Sequence, residues 1–139
     1  MNPRPYEGEI LGYDPNRADE FYLNEVQHAI NQTGNWHLER MHKFTTANNN
    51  FSPETVGFVA ILSPPVVESA YREASLLMVS ALIDVAHKYA TPVALVTDQK
   101  LASDLLDPKA DSLLAATPRN PGQISWQIQA WLRTKVRHY

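Results

Sequence analysis

Two stretches decide the fold: Thr55-Val-Gly-Phe-Val-Ala-Ile-Leu-Ser63 and Pro92-Val-Ala-Leu-Val-Thr97. Both are nearly continuous apolar runs, not alternating ones. Such runs fit strands covered on both faces, as in the middle of a parallel sheet. Between them, residues 68–89 carry Ala74, Leu77, Met78, Ala81, Leu82, Val85 and Tyr89 at spacings of three and four. That spacing predicts a helix with this stripe against the sheet. Arg72, Glu73, Asp84, His87 and Lys88 lie mostly off the stripe. Ala90-Thr91-Pro92 then breaks the helix, and a proline is tolerated at the first residue of a strand.

Strand, crossover helix and strand make a right-handed βαβ unit. In open α/β sheets, ligands gather beyond the carboxyl ends of the strands. Here those ends are Ser63-Pro64-Pro65 and Thr97-Asp98-Gln99-Lys100. They give the address at which a site is expected.

Upstream, Glu9-Ile-Leu-Gly-Tyr13 reads as a short strand. Asp14 as N-cap and Pro15 at the first helical position open a helix. Its apolar face is Ala18, Tyr22, Val26, Ala29 and Ile30, and Gly34 is its stop. Residues 36–46 alternate without a cleanly apolar face and are expected to form an exposed or edge strand. Residues 47–53 are a loop by composition. Downstream, Leu101, Leu105 and Leu106 suggest a helical face, and residues 111–116 one or two helical turns. Asn120, Pro121 and Gln123 carry the signals of a helix start. Ile124, Ile128, Trp131, Leu132 and Val136 form the stripe that packs this last helix on the sheet.

The chain has 139 residues, enough for one domain with a sizeable core. A net charge of -3 argues against a general polyanion binder. The absence of cysteine excludes disulfides, thiolate metal sites and thiol nucleophiles. Residues 1–7 lack the apolar core of a signal peptide, and no apolar stretch reaches the ~18 residues that a membrane span needs. A cytoplasmic protein without a membrane anchor is expected.

Motifs are few. The five glycines form neither a P-loop nor a dinucleotide fingerprint. Pro64 and Pro65 supply no amide donors for a phosphate. Asp98-Gln99-Lys100 has the D-x-K form of a metal-dependent nuclease, in which the carboxylate holds the ion and the lysine steadies water or phosphate. The acids available as its partner are Asp84 and Glu73. Asp84 would serve better if residues 81–88 were a strand. Histidines 28, 37, 42, 87 and 138 have no ligand spacing, so no metal site is assigned. No G-x-S-x-G elbow is present. The basic residues Arg133, Lys135, Arg137 and His138 complement a helix dipole as readily as a nucleic acid.

The arrangement of Glu9-Ile-Leu-Gly-Tyr13, Phe58-Val-Ala-Ile-Leu62 and Pro92-Val-Ala-Leu-Val96 around two helices resembles the small α/β domains of the nucleoside deoxyribosyltransferase and TIR group. The resemblance implies N-glycosyl transfer with a glutamate in the crossover helix. The corresponding stretch here offers Asp84, with Glu73 a few turns earlier.

The expectation is a single α/β domain over residues 1–139. It is a three-layer Rossmann-like sandwich with a small, mostly parallel sheet and a C-terminal packing helix. The leading function is a non-catalytic interaction or regulatory module with a protein partner or a second copy, and no cofactor. Trp36, Phe51, Trp126 and Trp131 are its candidate aromatic anchors. One alternative is a nucleoside- or nucleotide-binding or N-glycosyl-transferring domain, with Ser63, Asp14, Glu68, Thr97 and Gln99 at the ligand. A second is a nuclease. Were the protein an enzyme, Asp98, Lys100 and Glu73 would carry the chemistry. Nucleic acid and membrane are not expected partners.

Overall fold

The computed structural model describes residues 8–15, 21–33, 36–41, 55–62, 70, 72–97, 112–115, 121–134 and 136. In chain order the elements are β1 (Gly8–Tyr13), α1 (Phe21–Thr33), β2 (Trp36–Arg40), β3 (Thr55–Leu62), α2 (Arg72–Lys88), β4 (Val93–Thr97), β5 (Ser112–Ala115) and α3 (Pro121–Thr134). The strands form one five-stranded sheet in the order β2-β1-β3-β4-β5. Every pairing is parallel. This is the flavodoxin-like order of a doubly wound sheet. The chain is an α/β domain of the Rossmann-like class.

All residues of β3 and β4 are buried, as their unbroken apolar sequences require. Alternation along each strand sends side chains to two cores. Ile10, Val59, Ile61, Ala94 and Val96 face α1 and α3, where they meet Leu23, Val26, Ile30, Ile128, Trp131 and Leu132. Leu11, Tyr13, Phe58, Ala60, Leu62 and Leu95 face α2, where they meet Val79, Leu82, Ile83 and Ala86. α1 and α3 lie side by side on one face. The terminal stripe Ile124, Ile128, Trp131, Leu132 and Val136 is buried as its spacing predicts.

Three expectations need correction. Residues 112–115 are a strand, not helical turns, paired in register with β4 from Ala94↔Ser112 to Thr97↔Ala115. A four-residue apolar segment is too short for periodicity to tell the two apart, and an open edge on β4 selects the strand. The buried face of α2 is Ser75, Val79, Leu82, Ile83 and Ala86; of the expected stripe only Leu82 lies on it, with Met78 and Val85 packed at its margin and Ala74, Leu77 and Tyr89 exposed. α2 is apolar around most of its circumference, so two stripes compete; the charges of Glu73, Asp84 and Lys88 share a side with Leu77 and turn it to solvent. Residues 81–88 are helix as expected, so the strand setting that would have suited Asp84 does not arise. Trp36, at the start of β2, is buried beneath α1 and is no exposed anchor. β2 is an edge strand as expected, and the hydrogen bond from Met41 N–H to Gly12 O (2.8 Å) extends its pairing. The expectations for Gly34, Phe51, residues 101–106 and Asn120 fall outside the described residues.

β3 contains a bulge. Glu9 pairs with Thr55 but Ile10 with Gly57, so Val56 is an extra residue. Val56 joins the α1/α3 core, and Gly57 beside it opens to the same face. A Cβ on Gly57 would lie 2.8 Å from Trp131 Cη2 and 2.9 Å from Ile10 Cδ1. The missing side chain is what lets the indole reach the sheet.

α2 ends in a Schellman motif. Thr91 N–H donates to Ala86 O (2.8 Å) and Ala90 N–H to His87 O (3.0 Å), with Ala90 at φ 55°. Glycine normally takes this left-handed position because a Cβ costs about 1–2 kcal/mol there.

Gly57→Ala is expected to lower stability by about 1–3 kcal/mol through overpacking. The readout is a lower urea midpoint at an unchanged slope; an unmoved midpoint would show that Trp131 does not need the gap. Ala90→Gly is expected to stabilise by about 0.5–1 kcal/mol, the relieved strain outweighing the added freedom of the unfolded chain. Calorimetry should then give a midpoint roughly 2–4 °C higher, and a lower one contradicts the assignment of strain.

Candidate functional site

Because all strands run the same way, their carboxyl ends share one edge. From β1 the chain moves outward to β2 by way of α1; from β3 it moves the opposite way to β4 by way of α2. The two connections leave on opposite faces and open a crevice between the ends of β1 and β3. That reversal is where doubly wound sheets bind ligands.

Asp14 directly follows β1 at this crevice and is 5% exposed. Its expected role as N-cap of α1 turns on residues 16–20, which lie outside the described residues. Tyr13 is buried on the α2 side, and its hydroxyl donates to Met78 Sδ at 3.7 Å. Thr97 ends β4 and is buried; its hydroxyl donates to Leu62 O at 2.9 Å. That bond ties the last residues of β3 and β4 together. Glu73 lies exposed in the first turn of α2, where a carboxylate is favoured by the helix dipole. On the β2 side, the Arg40 guanidinium donates to Gln27 Oε1 from Nε (3.0 Å) and Nη2 (2.6 Å), and to Asn24 Oδ1.

Of the residues singled out in the sequence, Asp14, Thr97 and Glu73 thus fall at the carboxyl edge. Ser63, Glu68, Asp98, Gln99 and Lys100 lie outside the described residues. Asp84 is exposed and three turns beyond Glu73, about 16 Å along the helix at 1.5 Å per residue. α2 runs antiparallel to the strands, so that distance carries Asp84 away from the crevice. Among the described residues, no group of three or more His, Asp or Glu is placed to hold a metal ion. No described helix is long and apolar enough to cross a membrane.

Sequence reasoning missed Tyr13, whose hydroxyl reaches across to α2, because a tyrosine ending a strand carries no special spacing. It also missed the exposure of Leu77, which is 72% accessible. Trp126 is exposed on α3 (68%), and Trp131 is core.

No family model matches the chain, and no curated protein matches it. Solved structures do. A de novo designed Rossmann 2x3 fold protein aligns with TM-score 0.62 at 10% identity, covering 95% of this chain and 94% of the design. A putative pilus assembly-related protein from Burkholderia pseudomallei aligns with TM-score 0.57 at 11% identity, covering 100% and 99%. Vibrio vulnificus NanR, solved with ManNAc-6P, aligns with TM-score 0.54 at 13% identity, covering 93% of this chain and 50% of its own. Likeness at these identities shows the fold alone.

Thr97→Val is expected to cost about 0.5–1.5 kcal/mol, the net worth of one buried hydrogen bond. Amide exchange at Val96 and Thr97 should speed up more than at Val93. Uniform acceleration along β4 would mean that the hydroxyl does not pin the strand ends.

Proposed function

We propose that the domain is a non-catalytic protein-interaction module whose contact surface is the outward side of α2. One observation carries this reading. α2 buries one apolar face against the sheet, with Met78 and Val85 packed at its margin, and still presents Leu77, 72% exposed, with Ala74 and the half-buried Ala81 on the outward side. A leucine left this exposed between small residues, on a helix already packed on its other side, is apolar surface that a protein partner would cover. The broken or absent catalytic motifs agree with it. So does the end-to-end likeness to a pilus assembly-related chain, whose description is of the assembly kind.

A second reading places a small ligand at the crevice. It is favoured by the buried carboxylate of Asp14 at the point of reversal, and NanR, with its bound sugar phosphate, shares the fold. Asp98, Lys100 and Glu73 would serve any chemistry there, with Ser63, Glu68, Thr97 and Gln99 as further contacts.

Thermal denaturation against ATP, GTP, NAD, a sugar phosphate, Mg2+ and Mn2+ separates the two. A ligand at 100 times its Kd stabilises the folded state by about 2.7 kcal/mol. The interaction reading expects no shift across the panel. A saturable rise that Asp14→Asn removes would overturn it in favour of the crevice.

A further inference from the structure

We infer that the occupant of the α2 surface is a second copy of this chain, the two helices lying antiparallel across a two-fold axis at Ser80 and Ala81; this rests on the interaction reading above. The most outward line of α2 is Glu73, Leu77, Ala81, Asp84 and Lys88, recurring every three or four residues. Glu73, Leu77, Asp84 and Lys88 are exposed and Ala81 is half buried.

The charges at the two ends of this line are what identify the occupant. Glu73 sits in the first turn and Lys88 in the last. They are about 22 Å apart along the axis at 1.5 Å per residue, too far to meet within one copy. Neither makes an ion pair or hydrogen bond among the described residues. Reversing a second helix about the Ser80–Ala81 midpoint brings Glu73 of each copy opposite Lys88 of the other. The same reversal sets the positive end of one helix dipole beside the negative end of the other.

The middle of the line suits close approach. Ser80 and Ala81 are short, which allows axes 8–10 Å apart, the spacing of packed helices. Leu77 of each copy then falls level with Asp84 of the other, in the gap between its Ala81 and Val85. The contact is isologous, so it closes at two copies and does not propagate. One 17-residue helix per copy makes an interface at the small end of the specific range, below about 1,200 Å², which corresponds to a weak, reversible dimer.

Sedimentation velocity on the full chain from about 1 µM to about 1 mM at low salt tests this, since association at an interface of this size falls within that range. A monomer–dimer equilibrium is expected. Leu77→Asp, at a position 72% exposed, should be monomeric throughout with an unchanged melting temperature. Glu73→Lys and Lys88→Glu should each weaken the dimer about tenfold, because like charges then face each other at both symmetric ends. The double exchange should restore it to within about threefold of the wild type. A wild type that stays monomeric overturns the homodimer. So does a dimer indifferent to Leu77→Asp, or a double exchange as weak as the single changes. Either failure, with a flat ligand panel, leaves the interaction reading standing with a different protein as occupant. A ligand shift abolished by Asp14→Asn removes that reading whatever the state of association.

Discussion

The need to cover β3 on both faces governs the rest of the structure. Its eight residues are all buried. Phe58, Leu62 and Ala60 point to one core, and Val59, Ile61 and Val56 to the other. Each large apolar side chain contributes about 1.5–3 kcal/mol only if it is removed from water. A helix layer on a single face would leave half of them wet. Right-handed crossovers put helices on both faces only if the chain winds outward from β3 in one direction and from β1 in the other. The crevice follows from that winding; it is not a separate device.

The sequence was most legible where burial is complete. Continuous apolar runs located β3 and β4, and the spacing of Ile124, Ile128, Trp131 and Leu132 oriented α3. Legibility failed where one segment satisfies two patterns. α2 has apolar residues on nearly every side, so composition could not decide which stripe meets the sheet. Ser75, a polar residue at a buried position, disguised the true face. Residues 112–115 are too few to declare a period, and the sheet edge left open by β4 settles their conformation. At the candidate site, the strand-end address was legible from topology alone. Asp14 was readable as a helix cap because Asp-Pro carries that signal, yet its place at the reversal depends on strand order, which no local pattern encodes.

Fold and function separate cleanly here. A designed protein shares the architecture over nearly the full length of both chains. Core and winding therefore follow from general packing rules, and activity has to be sought in particular side chains. The described side chains at the crevice are largely committed to holding the scaffold: Thr97 ties β4 to β3, and Tyr13 ties β1 to α2. Among the described residues, exposed groups with no such duty include Trp126 of α3 and several on α2. On α2 these are Leu77, Glu73 and Lys88, which contribute nothing to the core.

The extra residue in β3 has a bearing on how kinship would be detected. Val56 and Gly57 fall on the same side of the sheet, so inward and outward positions exchange parity at that point. A relative lacking this insertion would align correctly only with a one-residue gap between Thr55 and Gly57. Without the gap, every position on one side of the irregularity would be matched to its opposite, lining up helix-facing residues with those of the other layer. Shared ancestry would then look like chance at the very strand that is most constrained.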